Sequence, residues 1–249
     1  MEENKRKLLQ NMIDESNKIV FFGGAGVSTE SGLKDFRSVD GLYHLKYAYP
    51  PETILSLNFF YEHPKEFYSF YKENLLKKGI QPNACHYKLK ELEDNGKLLG
   101  IITQNIDHLH TLAGSKNVIE LHGSIVRNHC IHCHKFFPGW EFIDHCDYLP
   151  LCDKCNQLIK PDVVLYGESL NEKDILKAIE WIEKADLLII GGCSLQVYPA
   201  ASFIHYFKGK YLVIINKTPT PADSLANLLI DEPIGKVMES IQISKTSKV

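Results

Sequence analysis

Short apolar runs alternate with amphipathic stretches over most of the chain. The runs have the length and composition of buried strands, and they lie at 19–22, 97–103, 118–121, 161–167, 186–192 and 211–216. Helical periodicity marks the stretches at 52–79 (as two helices), 82–95, 171–184, 199–207 and about 233–242. Because strands alternate with helices, the sequence predicts an α/β fold with a doubly wound, mostly parallel sheet that has helices on both faces.

Two segments interrupt this alternation. Residues 38–96 combine a loop rich in Gly, Tyr and Pro with aromatic-rich helices, whereas residues 125–158 are rich in Cys and His. We therefore expect a discontinuous sheet domain that consists of 1–37, 97–124 and 159–249. The helical insert and the cysteine-rich insert would form a second, smaller domain.

The first apolar run leads directly into a glycine turn. Gly23, Gly24 and Gly26 follow the strand, and residues 28–31 have the residue types of a helix start. Such a turn lets a phosphate approach the backbone, where free N–H groups can bind it. The dinucleotide fingerprint G-x-G-x-x-G is not met, because Thr29 stands at the third glycine position. The turn alone leaves two interpretations open: a nucleotide site, or simple packing of a helix on the sheet.

Polar residues follow several of the predicted strands. Ligands in such folds bind beyond the carboxyl ends of the strands, so these residues are expected to converge. They are 24–28, 104–108, His122, 192–194 and Asn216. Taken alone, His122 is better explained as a strand-end histidine that caps its neighbours. Five polar strand ends together predict a binding site.

Composition limits the partners. The 249 residues carry a net charge of −3, which gives no overall field that would attract nucleic acid. No apolar run is long enough to span a membrane. Residues 1–18 are charged and helix-patterned and lack the apolar core of a signal peptide, so we expect a cytoplasmic protein. The oligomeric state stays open, a monomer included.

Four of the seven cysteines form two C-x-x-C pairs, Cys130 with Cys133 and Cys152 with Cys155. Two such pairs complete the tetrahedron of a zinc site and leave no position open for water. We therefore expect one structural zinc ion that folds an insert too small for a core of its own. The alternatives are cysteines without metal, or replacement of one ligand by a nearby histidine or by Cys146.

The motifs follow one order along the chain: 24–28, 31–32, 35–37, 103–107, 122–123, the four cysteines, 160–168, 192–195 and 215–216. In that order they resemble the sirtuin family of NAD-dependent protein deacylases, in its bacterial-type, catalytic-core form. The match covers the chain from residue 19 to about residue 240. It implies a Rossmann-like domain that uses NAD as co-substrate, a helical insert with a cofactor loop, and a zinc-binding insert.

The resemblance also implies which residues hold NAD. The pyrophosphate end would be held by Ala25, Gly26, Thr29 and Arg37. The adenosine side would lie against Ser194, Asn216 and Ile234, and the small Cys193 would keep the phosphate cradle open. The nicotinamide pocket would be lined by Phe36, Asn105, Ile106 and Asp107. The nicotinamide ribose would face Gln104 and His122.

By the same resemblance, the catalytic residues would be His122, Asn105 and Asp107. Acyl-lysine would pass between Val164, Tyr166 and His122, and its peptide would add as a strand, in contact with Val163, Val164, Tyr166, Gly167 and Leu195. The implied reaction begins when the acyl oxygen attacks the ribose as nicotinamide leaves. His122 then acts as general base on the ribose hydroxyls, a role that suits an imidazole near neutral pH. The products would be free lysine, nicotinamide and O-acetyl-ADP-ribose.

Some positions depart from the family pattern, and some alternatives remain. Gly23 and Cys193 stand where Thr is common, and Lys34 stands where Pro is usual. Tyr68-x-x-Tyr71 replaces the Tyr-x-x-Arg pair of members that prefer succinyl or malonyl lysine. A buried carboxylate without a cation is costly, so we expect uncharged acyl groups, acetyl first. ADP-ribose transfer to protein, plain NAD hydrolysis and a non-catalytic NAD-binding module are the alternatives.

Overall fold

The computed structural model describes residues 2–36, 41–42 and 47–243. Arg37 and residues 38–40 and 43–46 lie outside the described residues. They include the first part of the loop at 38–51, which the resemblance assigns to the cofactor. Within the described ranges, no helix combines the length and the apolar character that a bilayer-spanning segment needs.

Strands and helices alternate through the described chain. The strands are β1 (Ile19–Gly23), β2 (Leu98–Thr103), β3 (Val118–Glu120), β4 (Gly123–Cys130), β5 (Phe136–Pro138), β6 (Ile159–Val163), β7 (Leu187–Gly191), β8 (Tyr211–Ile215) and β9 (Leu228–Ile230). The helices are α1 (Glu3–Glu15), α2 (Pro51–Ile54), α3 (Leu57–Glu62), α4 (Pro64–Asn74), α5 (Ala84–Asp94), α6 (Leu109–Leu112), α7 (Glu141–Asp144), α8 (Glu172–Lys184) and α9 (Ile234–Glu239).

Six strands form one parallel sheet in the order β3-β2-β1-β7-β8-β9. The register aligns Gly23 with both Thr103 and Gly191, and Gly191 with Ile215. Four strands therefore end at the same level, and the segments that follow them meet at one edge of the sheet. This is the doubly wound α/β fold that the alternation predicts.

Apolar helix faces cover both sides of the large sheet. Phe21 packs in a cluster with residues of α1, α5 and α9, whereas Val20 and Phe22 pack in a second cluster with residues of α8 and the 3-10 helix Ala200–Tyr206. Neighbouring side chains of a strand point to opposite faces, so a strand that is apolar throughout needs a layer of helices on each side.

The smaller domain has its own sheet and core. Strands β5, β4 and β6 pair antiparallel in that order. The aromatic side chains of α3 and α4 share one apolar cluster with residues of β4 and β6, among them Phe60, Phe67, Ile125 and Val163. The helical insert and the cysteine-rich insert thus pack as one unit.

The sequence predicts 161–167 as a strand of the large parallel sheet, and this assignment to the large sheet was wrong. This stretch does not join the large parallel sheet, because β6 lies at the edge of the small sheet and pairs antiparallel with β4. Pro161 explains the preference, since a residue without a backbone N–H is tolerated at an edge strand. The predicted helix at 199–207 is a 3-10 helix, and the short strand β9 was not predicted.

The division of the chain into domains stays a prediction, and packing bears on two of its boundaries. Helix α5, which the sequence places in the helical insert, contributes Leu89 and Leu92 to the core of the large sheet. Strand β6, which it places in the sheet domain, belongs to the small sheet. We propose boundaries that move α5 to the larger domain and β6 to the smaller one.

Candidate functional site

A cavity of about 1410 Å³ lies at the carboxyl edge of the large sheet and extends to the smaller domain. All the cofactor-binding residues predicted from the sequence that the structure describes line it: Ala25, Gly26, Thr29, Phe36, Gln104, Asn105, Ile106, Asp107, His122, Cys193, Ser194, Asn216 and Ile234. Arg37 lies outside the described residues. The fold thus brings together residues that lie as far apart as 25 and 234 in the sequence.

The glycine turn after β1 is pressed against the end of β7. The Gly26 N–H donates to the Gly192 carbonyl at 2.8 Å, and the Gly24 N–H donates to the Gly191 carbonyl at 3.1 Å. A Cβ on Gly26 would lie 2.8 Å from the Gly192 oxygen, and Gly192 itself has a φ of +54°. Only glycine fits this contact, which leaves an open backbone surface at the cavity wall. Short 3-10 turns, Ala25–Val27 and Thr29–Ser31, follow in place of the expected helix start.

Ser28 links the glycine turn to the segment after β2. Its hydroxyl donates to Asp107 Oδ2 at 2.6 Å and accepts from Asn105 Nδ2 at 3.0 Å. The Leu109 N–H donates to the other Asp107 oxygen at 3.0 Å. Burial raises the pKa of Asp107, although the bonds from Ser28 and Leu109 act in the opposite direction. The arrangement holds a half-buried carboxylate in the cavity wall.

His122 lies in the two-residue connection between β3 and β4. Its Nδ1 lies 2.9 Å from the Gln104 carbonyl oxygen, which can only accept, so Nδ1 carries the proton and Nε2 is the acceptor. Burial lowers the pKa of His122, and the bond to Gln104 offsets part of that effect. The imidazole is therefore neutral near pH 7 and able to accept a proton.

The residues predicted to hold acyl-lysine border the same cavity on the side of the small sheet. Val163, Val164, Tyr166 and Gly167 line it, and the Val164 N–H donates to the His122 carbonyl at 2.9 Å. Leu195 differs, because its side chain is buried in the core of the large sheet and does not border the cavity.

The predicted adenosine side of the cavity is formed by the segments that follow β7 and β8. The Gln104 amide donates to Cys193 Sγ at 3.4 Å, a contact that connects this side to the His122 segment. The Asn216 amide donates to the Thr218 carbonyl at 2.7 Å. Ile234 packs against Gly191, where an added Cβ would lie 2.1 Å from the Ile234 Cδ1 atom.

The four predicted zinc ligands converge in the smaller domain. All four sulfur atoms lie within 4.8 Å of one another, with Sγ–Sγ distances of 3.3 Å for Cys130 and Cys155 and 3.6 Å for Cys133 and Cys152. A zinc ion bound tetrahedrally at about 2.3 Å keeps its sulfurs about 3.8 Å apart, so the cluster fits one ion. The Cys146 thiol instead donates to the Phe142 carbonyl at 3.0 Å, which removes it as a replacement ligand.

Tyr68 and Tyr71, which bear on the acyl preference, are buried in the helical core and do not border the cavity. The Tyr68 hydroxyl donates to the Ile159 carbonyl. The sequence thus placed these residues near the acyl group, whereas in the described structure they support the small domain. The expected preference for acetyl stays a prediction.

Ser28 is the site residue to which sequence reasoning gave no role. It belongs to the GAGVS motif, and a small hydroxyl residue just after a glycine turn was the available signal. Its two partners lie 77 and 79 residues away, so the contact itself could not be deduced from spacing.

Together, the fold and the cavity define a class of protein: a Rossmann-like nucleotide-binding domain that carries a small four-cysteine zinc domain at its ligand edge. The chain belongs to the Sir2 family, whose model matches residues 24–199.

Curated relatives match over nearly the whole chain. An NAD-dependent protein deacetylase of Clostridium tetani is 52% identical and covers 95% of this chain and 96% of its own. The enzyme of the same name from Clostridium acetobutylicum is 53% identical and covers 94% and 96%.

Solved structures agree. A Sir2 variant with a deacetylated p53 peptide and 3′-O-acetyl ADP ribose matches with a TM-score of 0.86 and 39% identity, over 94% of this chain and 96% of the other. A complex of Sir2 with a p53 peptide and NAD⁺ matches with a TM-score of 0.83 and 39% identity, over 93% and 95%.

Proposed function

We infer that this chain is an NAD-dependent protein deacetylase, which moves an acetyl group from lysine to ADP-ribose and releases nicotinamide. The observation that carries this inference is His122. Its Nδ1 is fixed by Gln104, and the ring lines a cavity that also contains the glycine turn and the loop from Val163 to Gly167. Near-complete matches to named deacetylases support the same conclusion.

We propose that the pyrophosphate of NAD lies against the glycine turn at Ala25 and Gly26, where small residues bring the backbone to the wall of the cavity. The nicotinamide amide would donate to Asp107, since a carboxylate accepts from an NH₂ group. Ser28 holds that carboxylate in place through its 2.6 Å bond. The adenosine would lie toward Ser194, Asn216 and Ile234.

We propose that His122 is the general base. Because burial lowers its pKa, the ring is neutral when a ribose hydroxyl needs to lose a proton. The proton would go to Nε2, and the Gln104 carbonyl would stabilise the resulting imidazolium through Nδ1–H. Asn105 completes the catalytic set as a positioning group, since its amide is held by Ser28 on one side of the cavity.

The protein substrate is a chain that contains acetyl-lysine. Related Sir2 proteins have been solved with an acetylated peptide and with a propionylated peptide, each at 38–39% identity to this chain. We propose that the peptide lies between the 163–168 and 195–198 segments. A cytoplasmic location belongs to the same proposal, because four zinc-binding thiolates persist in a reducing compartment.

Product analysis tests the function. The protein is incubated with NAD and an acetyl-lysine peptide, and the products are identified by mass spectrometry. We expect nicotinamide, deacetylated peptide and O-acetyl-ADP-ribose in equal amounts, and far slower turnover of a succinyl-lysine peptide. His122→Ala should abolish deacetylation, whereas His205→Ala, an exposed histidine on another surface, should leave it unchanged.

Other products would point to the alternative activities. Nicotinamide without loss of the acetyl group would indicate NAD hydrolysis, and a peptide heavier by one ADP-ribose would indicate ADP-ribosyl transfer. Full deacetylation by the His122→Ala protein would contradict the assigned base.

A further inference from the structure

The position of His122 depends on how the two sheets are joined. Strand β3 of the large sheet ends at Glu120, and β4 of the small sheet begins at Gly123. At this crossing between the sheets, the connection consists of Leu121 and His122. Any movement of one sheet against the other therefore moves the imidazole within the cavity.

Strand β6 clamps this connection from the other side. Gly123 has a φ of +77°, and a Cβ there would lie 1.8 Å from the Asp162 carbonyl oxygen. The Val164 N–H donates to the His122 carbonyl at 2.9 Å. The backbone from Asp162 to Val164 thus touches the turn that holds His122 and leads directly into the loop proposed to bind acyl-lysine.

The pairing of β4 with β6 is interrupted next to this clamp. Ser124 pairs with Asp162 and Asn128 pairs with Pro161, so residues 125–127 have no register partner on β6. The side chain of Arg127 makes hydrogen bonds to β6 and β3 at the place where the backbone pairing is interrupted. Its Nε donates to Asp162 Oδ2 at 2.8 Å, and its Nη1 donates to Glu120 Oε2 at 2.6 Å.

The bond to Glu120 is the more protected of the two. The Glu120 side chain is 8% exposed, against 46% for Asp162, so solvent screens the Glu120 pair less. His108 Nδ1 lies 3.0 Å from the other Glu120 oxygen. Burial raises the pKa of Glu120, but the hydrogen bonds from His108 and Arg127 outweigh it and lower the pKa overall.

We propose that Arg127 is a positioning residue for the deacetylation reaction: by bridging Glu120 and Asp162, it fixes the turn that carries His122 against the acyl-lysine loop. The proposal rests on the deacetylase function inferred above. Arg127 does not border the cavity, so it would touch neither ligand. It acts on the placement of His122 and of the loop that follows Asp162.

This role predicts an uneven kinetic effect. Release of nicotinamide precedes the proton transfer to His122 in the proposed reaction, and NAD binds mainly to the large sheet. Loss of the bridge should therefore lower kcat for deacetylation and raise KM for the acetyl-peptide. It should spare KM for NAD and, at a saturating concentration of acetyl-peptide, the exchange of labelled nicotinamide into NAD.

The test compares Arg127→Met with Arg6→Met. Arg6 is a matched control, because its Nε–H and a terminal N–H also donate to one carboxylate, that of Glu3, on the exposed face of helix α1. For Arg127→Met we expect kcat for deacetylation to fall between about tenfold and 100-fold, the scale that a misplaced reacting group brings. With acetyl-peptide at a saturating concentration, KM for NAD and the exchange rate should stay within about twofold of the parent protein. Arg6→Met should match the parent protein in every parameter.

A second pair of variants keeps the test decisive if Arg127→Met folds poorly. Glu120→Gln removes the charge at the protected end, and Arg127→Lys retains a charge that can reach one carboxylate but cannot bridge two. The ratio of deacetylation to exchange should fall in both, less in Arg127→Lys. An unchanged ratio in folded variants, or an equal fall of all rates, would overturn the positioning role. If the parent protein formed no O-acetyl-ADP-ribose, the deacetylase function itself would fail instead.

Discussion

A single hydroxyl joins two parts of the cavity wall. Ser28 is 2% exposed, and it serves Asp107 as donor and Asn105 as acceptor. Both partners follow β2, while Ser28 follows β1, so the bonds hold two strand ends together beside the proposed nicotinamide pocket. A buried donor or acceptor that loses its partner costs about 1–3 kcal/mol.

Replacing this hydroxyl should affect both stability and pH dependence. In Ser28→Ala, Asn105 loses its acceptor and the Asp107 carboxylate loses a donor, so the free energy of unfolding should fall by about 1–3 kcal/mol. The bond from Ser28 lowers the pKa of Asp107, so its loss should raise that pKa further. The acid limb of kcat/KM for NAD should then move to higher pH. Urea titration and a pH–rate profile measure the two effects.

Ser202→Ala is the control for this variant. Its hydroxyl donates to the nearby Pro199 carbonyl at 2.7 Å, outside the Asp107 network. We expect neither the stability nor the pH profile of this control to change appreciably. An acid limb that stayed in place in Ser28→Ala would mean that Asp107 does not govern the use of NAD.

Among the elements, the four-cysteine cluster depends least on an apolar core. The cluster packs with Ile159 and a few half-buried side chains, among them Phe137 and Phe142. Such a small core needs the metal, because the free energy of zinc binding contributes directly to folding. Strand β4 ends at Cys130 of this cluster, and β6 begins at Ile159 beside it. These two strands flank His122 and the loop proposed to bind acyl-lysine.

Removing zinc should therefore stop deacetylation, because the zinc-binding part of the smaller domain would unfold. We expect one zinc per chain by metal analysis, and a strong chelator should release it, lower Tm and abolish activity on acetyl-peptide. Cys152→Ser should do the same, whereas Cys146→Ser should retain one zinc because that thiol bonds to Phe142 instead. Full activity in metal-free protein would contradict the structural role of the cluster.

Periodicity predicted most elements, and the exceptions have physical causes. Apolar runs of five or six residues, such as β1 and β2, are unambiguous because they are buried on both faces. The stretch that contains β6 looked equally apolar, yet Pro161 and the alternating burial of this strand favour an edge position. Strand β9 was not predicted, although with three residues it is as long as β3, which the apolar run at 118–121 did predict.

Over the whole molecule, the sequence predicted which strand-end residues of the large sheet share the cavity better than it predicted which residues border the cavity from other segments. Parallel strands end at one edge, so polar strand ends such as Gln104 and Asn216 had to converge. Contacts between the two domains follow no such rule. The burial of Tyr71 depends on how the smaller domain packs, and the inward position of Leu195 depends on how the segment after β7 packs on the large sheet. Residue spacing encodes neither.

Two buried histidines should make the stability of the protein depend on pH. His86 and His110 are 0% and 2% exposed, and their ring centroids lie 4.6 Å apart. The Asn83 N–H donates to His86 Nδ1, so the ring caps α5 as a neutral acceptor. Asn83 in turn donates to the Val27 carbonyl beside the glycine turn at 2.8 Å. Burial lowers the pKa of His86 to about 4 and also lowers the pKa of His110.

A histidine whose pKa is lower in the folded than in the unfolded protein binds fewer protons when folded, so stability falls as pH falls below the unfolded value of about 6.5. Between that pH and about 4, His86 alone should reduce the free energy of unfolding by about 3 kcal/mol. Urea titrations at a series of pH values measure how the free energy of unfolding changes with pH.

The double variant His86→Gln, His110→Gln should lose much of this pH dependence, because glutamine can accept the Asn83 bond without titrating. The exposed control His205→Gln should keep the full slope, and an unchanged slope in the double variant would show that other groups cause the acid sensitivity.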